Sequence, residues 1–500
     1  MFSPLGFIRD IVIARLFGVY EYAQAFVIAF KIPNLFRDLV GEGAANAAFV
    51  PVLSEYKVRQ SEKEFWELAN VILNLLLVIV TGITLIGMLF APAIVRLIAP
   101  GFITEPGKLE LTIRLTRILF PYILLVSLAA YAMSILNTLK HFSVPAFAPC
   151  LLNISIIAFA LLFGESIKGL SLGVLVGGVL QLGVQIPVLY KKHFHLELFR
   201  KFKHPAASTI GKLMVPRLLS SSIYQLNNFV DSIFGSLSQF VGVGGVAVLY
   251  FAYRLIQFPL GIVSSALSQA MLPTFSTQAL EANHGNLKNT LSFGLRATFL
   301  VMVPASIAFM VLAQPIVRNI FSGGRFDAYS ADATARVLLF YSIGLCAYGG
   351  TKILQSVFFA LKDTLTPAKV SFFALITNII LNAMLMFPLK LAGLALATSI
   401  SGVISFLILF IALNKRLNLL DETRAVISSF ARILLASMGM GIICYLLSRH
   451  RLLLGNGFFN RLINLSIPVT SGLVAYVIFC FVFKVREMRE FLAWLAQRKF

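Results

Sequence analysis

The run "ANVILNLLLVIVTGITLIGMLFAPAIV" (69–95) carries no charged residue. As a helix rising about 1.5 Å per residue it reaches past the roughly 30 Å hydrocarbon core of a bilayer. Comparable runs recur along the chain. With 58% of 500 residues hydrophobic and 13% charged, a soluble fold could not cover so much apolar surface. Membrane β-strands would read as short alternating segments. The expected fold is therefore an all-α polytopic membrane protein with about fourteen transmembrane helices.

The net charge of +21 lies mostly in short loops between apolar runs, which favours topogenic charge over nucleic-acid binding. The loops at 56–64, 191–204, 362–369 and 414–424 and the C-terminal tail hold most of the Lys and Arg, so they and both termini are expected in the cytoplasm. Two loops on the other side, 318–336 and 448–461, are also basic and weaken the bias. Four scattered cysteines and six histidines show no metal-ligand spacing. No cleavable signal peptide is expected. The first apolar segment, 1–18, is barely a span and carries Arg9, Asp10 and Arg15, which points to a shortened start.

An ungapped shift of 222 residues lays 25–54 over 247–276, matching Ala25, Phe36, Ala44, Ala48, Pro51 and Ser54 to Ala247, Phe258, Ala266, Ala270, Pro273 and Ser276. Such weak, ordered similarity suits two six-helix lobes related as parallel repeats in a transporter. The expected organisation is an N-terminal lobe at 1–190, a basic cytoplasmic linker at 191–212 and a C-terminal lobe at 213–413. Two further helices (414–484) and a basic cytoplasmic tail (485–500) follow.

Ionisable residues inside the spans are the functional candidates, because charge in hydrocarbon is costly. At 100° per residue, Lys31, Asp38 and Glu42 share one face of their helix and Arg37 points elsewhere. A structural ion network is the competing reading for Asp38 and Glu42. Arg254, Gln257, Gly261, Ser265 and Ser268 recur at intervals of three and four. Helix packing accounts for Gly261 and Ser265, whereas an intramembrane Arg254 favours a cavity. Arg9, Arg37 and Arg254 with few balancing acids suit a phosphate or diphosphate, which guanidinium binds bidentately. Asp231, Asn378, Asn382 and Thr398 with a free carbonyl could form an oxygen-lined cation site, or be ordinary interhelical hydrogen bonds. No enzyme signature is found; "GVGG" (242–245) is a lone glycine cluster.

The segments "GFIRDIVIARLFG" (6–18), "AFKIPNLFRDLVGEGAANAAFVPVLSEY" (29–56), "FPYILLVSLAAYAMSILNTLKHFSVPAFAPCLLNIS" (120–155) and "YFAYRLIQFPLGIVSSALSQAMLPTFS" (250–276) resemble the MurJ/MviN lipid II flippase family. That family lies in the multidrug/oligosaccharidyl-lipid/polysaccharide exporter superfamily. The resemblance spans essentially the whole chain. It implies fourteen helices, two six-helix lobes around a central cavity, and two C-terminal helices forming a lipid-tail groove. The implied activity is transfer of lipid II, an undecaprenyl-diphosphate-linked disaccharide-pentapeptide, to the outer leaflet of the bacterial inner membrane by alternating access. No enzyme activity, no nucleic acid and no cofactor other than a coupling Na+ are expected; the partners are lipid II and membrane lipid, and the chain is expected to be a monomer.

The resemblance assigns the diphosphate to Arg9, Arg37 and Arg254, with Asp10, Glu42 and Gln257 beside them. It assigns a sodium ion to Asp231, Asn378, Asn382, Thr398 and the carbonyl of Leu394. Membrane potential acting on a net-positive cavity is the alternative drive. The chain departs from the family pattern at Ser3 and Pro4, where a family arginine has no counterpart. It also departs at Gln24, Tyr253 and Gln257, where some members carry acids. A flippase for another polyprenyl-diphosphate glycan, a cation-coupled drug exporter and a scaffold for cell-wall enzymes are the remaining alternatives.

Overall fold

The computed structural model describes residues 4–37, 49–199, 201–281, 284–449 and 458–490. Among them the secondary structure is helical, apart from turns and one isolated bridge between Gly323 and Phe326. Contacts divide the chain into two compact units, Ser3–Ala247 and Val248–Phe500.

The first unit contains α1 (Pro4–Phe17), α2 (Glu21–Phe36), α3 (Val50–Arg59), α4 (Glu62–Leu89), α5 (Ala91–Ile98), α6 (Pro106–Leu119), α7 (Pro121–Thr138), α8 (Ser143–Phe163), α9 (Ile167–Gly183), α10 (Ile186–Lys191), α11 (Pro205–Ser236) and α12 (Ser238–Val241). Lipid offers helices no hydrophobic drive to associate, so close backbone approach must supply it. Gly173 and Gly177 on α9 serve this purpose: a Cβ on either would come within about 3 Å of α8 atoms, including the Ile156 and Leu152 backbone. Ser155 Oγ then donates to the Gly173 carbonyl at 2.8 Å. Away from the spans, Ser61 caps α4 by accepting from the Glu64 amide at 3.3 Å.

The chain enters the second unit within α13 (Gly245–Pro259), followed by a π-helical segment (Leu260–Ser265) and α14 (Ala266–Gln278). Then come α15 (Gly285–Val311), α16 (Ala313–Phe321), α17 (Ala328–Ile343), α18 (Leu345–Ala360), α19 (Leu365–Leu417), α20 (Leu420–Arg449) and α21 (Phe458–Val482). The 53-residue α19 is two helices joined at Lys390, whose φ of 52° and ψ of −132° break the ladder. This is where the sequence places a boundary between two spans. Asp363 and Arg416 pair at 3.0 Å and tie the distal ends of that hairpin.

Nine helices among the described residues are long and apolar enough to cross a membrane, and α17 with α18, bent by 45°, makes a tenth. Dividing α19 at Lys390 and adding α1, α2 and α11 accounts for the fourteen expected segments.

Candidate functional site

Arg9 and Asp10 lie on α1 with 4% and 1% of their surface exposed. Arg9 donates to Asp10 Oδ1 from Nη2 at 2.8 Å and Nε at 3.1 Å, and from Nη1 to Asn153 Oδ1 of α8 at 3.2 Å. The guanidinium also stands 5.9 Å from the Phe30 ring centroid. Burial and the neighbouring carboxylate fix the plane of the guanidinium, as expected of a charge taken out of water. Asn153 is not recognisable as a partner from local pattern, because it stands 144 residues away along the chain.

Arg37 follows the last residue of α2 and is half-buried. Pro33 within α2 lacks an amide proton, so this end of the helix is short of one ladder bond. The Arg37 amide donates to the carbonyls of Asn34 and Pro33 and closes the final turn. Asp38 and Glu42 lie outside the described residues. Lys31, one turn before the end of α2, donates to Ser232 Oγ of α11 and stands 5.6 Å from the Phe229 ring. Asp231 acts on the same ammonium electrostatically. Asp231, a proposed cation ligand, is next to Ser232 on α11 and in the same unit as Lys31.

In the second unit, Arg254 Nη1 donates to Gln257 Oε1 at 2.9 Å and Nη2 to the Tyr250 hydroxyl at 3.0 Å. Both partners sit within one turn on α13, so the helix holds its own guanidinium. The π segment that follows takes one more residue per turn than an α-helix and moves later side chains by roughly 100°. Ser265 and Ser268 consequently meet α18 instead of continuing the Arg254 face. Lys352 Nζ donates to Ser265 Oγ at 2.8 Å, and Ser268 bonds the Lys352 carbonyl at 3.2 Å and Ser356 Oγ at 2.6 Å. Helix packing accounts for both serines. Lys352 is not among the sequence candidates above; its signal is a lone lysine in "YGGTKILQSVFFA", inside an apolar span.

The hairpin α19 brings four of the five proposed cation ligands together. Asn382 Nδ2 donates to Asn378 Oδ1 at 2.9 Å, Asn378 Nδ2 to Thr398 Oγ1 at 3.1 Å, and Thr398 Oγ1 to the Leu394 carbonyl at 3.0 Å. Asn378, Asn382 and Leu394 are fully buried. The relay leaves Asn382 Oδ1 buried with no hydrogen-bond partner, and a buried orphan acceptor is a cost that a cation would remove. Asp231 belongs to the first unit.

Buried guanidinium and carboxylate groups within apolar spans, on a fold built of lipid-length helices, define a multi-pass α-helical membrane transporter. The sequence model of the lipid II flippase MurJ family matches residues 13–465, and the chain belongs to that family. It is 35% identical over 492 residues to the "Probable lipid II flippase MurJ" of Buchnera aphidicola (strain APS), covering 97% of this chain and 96% of that one. It is likewise 35% identical over 419 residues to the "Lipid II flippase MurJ" of Burkholderia cenocepacia, covering 82% and 81%. The solved structure "Lipid II flippase MurJ, inward closed conformation" superposes with a TM-score of 0.80 at 27% identity over 96% of each chain. An inward-facing multidrug transporter of the MATE family shares the fold at a TM-score of 0.69 and 15% identity, covering 85% of this chain and 97% of that one.

Proposed function

We propose that this chain carries lipid II from the cytoplasmic to the outer leaflet of the bacterial inner membrane by alternating access, with both termini in the cytoplasm. The observation that carries the reading is family membership along nearly the full length, joined to arginines placed within apolar spans. Arg9, Arg37 and Arg254 bind the diphosphate. Guanidinium stays charged at any physiological pH and offers paired donors to phosphate oxygens. Gln257 and Tyr250 orient Arg254, while Asp10 orients Arg9 and limits the net charge that the first unit must bury. The polyprenyl tail stays in lipid along α20 and α21. No covalent bond of the substrate is made or broken, so the protein acts as a transporter and not an enzyme.

Sodium is the proposed coupling ion. Asn378, Asn382, Thr398 and the Leu394 carbonyl supply neutral oxygens, which suits a hard monovalent cation, and the orphaned Asn382 Oδ1 supports their use. Asp231 is the acid that the family resemblance assigns to the same ion. A bound ion would add a fixed positive charge that biases one conformation over the other.

The test is rescue of lipid II translocation in a depletion strain by variants Arg9→Ala, Arg37→Ala and Arg254→Ala. Wild type restores translocation and the single variants do not; full rescue by all three removes the diphosphate assignment. For sodium, thermal stabilisation by Na+ should vanish in Asp231→Ala, and stabilisation that survives the change rejects the site.

A further inference from the structure

On α4, Asn70 and Asn74 stand one turn apart and clamp the backbone at His195, Glu197, Phe199 and Lys201. Asn70 Nδ2 donates to the His195 carbonyl at 2.9 Å, and its Oδ1 accepts from the Glu197 amide at 2.9 Å. Asn74 Nδ2 donates to the carbonyls of Glu197 at 3.0 Å and Lys201 at 3.2 Å, and its Oδ1 accepts from the Phe199 amide at 3.1 Å. Phe194 anchors the same loop against Trp66, with ring centroids 5.5 Å apart. Phe199 is held at a φ of 56°, which is unfavourable for a bulky residue, and is 62% exposed.

Beside this clamp lies an open surface groove of about 560 Å³ lined by the apolar Leu75, Phe202 and Pro205 and the polar Lys203, His204 and Ser208. His204 Nδ1 accepts from the Ala206 amide at 3.2 Å, so its Nε2 carries the proton and is a donor. The groove thus offers an ammonium, an imidazole N–H and a hydroxyl beside apolar side chains.

The depth of the groove follows from α4. Its 28 residues reach about 42 Å at ~1.5 Å per residue, roughly 12 Å more than a ~30 Å hydrocarbon core. The far end, with Leu85, Ile86 and Leu89 exposed, is suited to lipid. The excess therefore falls on the first two turns, where Glu62, Lys63, Glu64 and Glu67 sit. On that placement Asn70 falls at the hydrocarbon boundary and Leu75 about five residues inside it.

We propose that this groove binds the phosphate of an anionic phospholipid, with an acyl chain against Leu75 and Phe202 and the phosphate held by Lys203, His204 and Ser208. The Asn70 and Asn74 clamp keeps the loop at the depth the lipid requires, and Leu196, Leu198 and Phe199, all exposed, enter the same leaflet. The volume lies within the range of small-ligand sites. Opposite charge favours an anionic headgroup over a zwitterionic one.

The test uses the full chain carrying Trp494→Phe, leaving Trp66 as the single tryptophan, in phosphatidylcholine vesicles doped with phosphatidylglycerol or phosphatidylcholine whose acyl chains are brominated close to the glycerol backbone, near the level of Trp66. Quenching of Trp66 should be several-fold greater for the glycerol lipid at equal mole fraction. Lys203→Gln with Ser208→Ala should cut that excess by about fivefold or more, since one lysine near an anionic surface is worth about 1 kcal/mol. Both residues are exposed, so unchanged Trp66 emission without bromine confirms the fold. Equal quenching by the two lipids, or an excess that survives the double change, overturns the proposal. Loss of the excess on adding millimolar inorganic phosphate would show that the groove takes a free phosphate and would overturn the lipid assignment.

Discussion

Asp10→Ala tests whether the Arg9 charge depends on its neighbour. The carboxylate accepts two bonds from Arg9, at 2.8 and 3.1 Å, and both side chains are at least 95% buried. Alanine removes the carboxylate from the guanidinium, which stays inside the unit with its bond to Asn153 in place. Breaking a buried pair from one side costs about 3–5 kcal/mol, because the stranded charge keeps its desolvation penalty. Removing both charges together, as Arg9→Met with Asp10→Leu, eliminates that penalty and should leave stability within about 1–2 kcal/mol of wild type. Equilibrium unfolding in detergent micelles, followed by circular dichroism, measures all three. Asp10→Ala within about 1 kcal/mol of wild type, or a double variant no more stable than the single one, would refute the reasoning.

Further outcomes follow from other contacts. Asn74→Ala removes three bonds to the 197–201 backbone, each worth about 1 kcal/mol; amide exchange in that loop should accelerate on the order of a hundredfold while the core of the first unit stays protected. Gly101→Ala should destabilise by about 1–3 kcal/mol, because a Cβ there would lie 2.0 Å from the Ser236 carbonyl oxygen, and thermal unfolding in detergent checks it. The Asp363 carboxyl is held below its ordinary range by the Thr366 amide and hydroxyl and by Arg416. Its stabilisation is therefore present above the unfolded carboxylate value of about 4 and fades as pH falls through the lower folded value. The stability gap between wild type and Asp363→Asn should close in acid and stay open at neutral pH.

Much of the fold was legible because one quantity, apolar length, dominates in a membrane. The break at Lys390 coincides with the boundary read from "FPLKLAG", where charge interrupts an apolar run. The site was legible in part. Intramembrane arginines announce themselves by cost, and Asn378 and Asn382 by spacing. Three features escaped. The π segment cannot be seen by a reading that assumes 100° per residue, so Ser265 and Ser268 seemed to continue the Arg254 face. Lys31 reaches Ser232 on α11, a contact that no local pattern announces. Asn70 and Asn74 carry no local signal, because their partners are backbone groups more than 120 residues away.

The central claim is that guanidinium groups in the spans grip the diphosphate of lipid II. Reconstitution of the purified chain into vesicles containing labelled lipid II, with the appearance of label in the opposite leaflet as readout, tests it most directly. Wild type should translocate the lipid. Arg254→Ala should slow transfer by about tenfold to a hundredfold, the loss expected for a charge-assisted pair worth about 1.5–3 kcal/mol, and Arg254→Lys should fall between them. Transfer at the wild-type rate by Arg9→Ala, Arg37→Ala and Arg254→Ala alike would contradict the account.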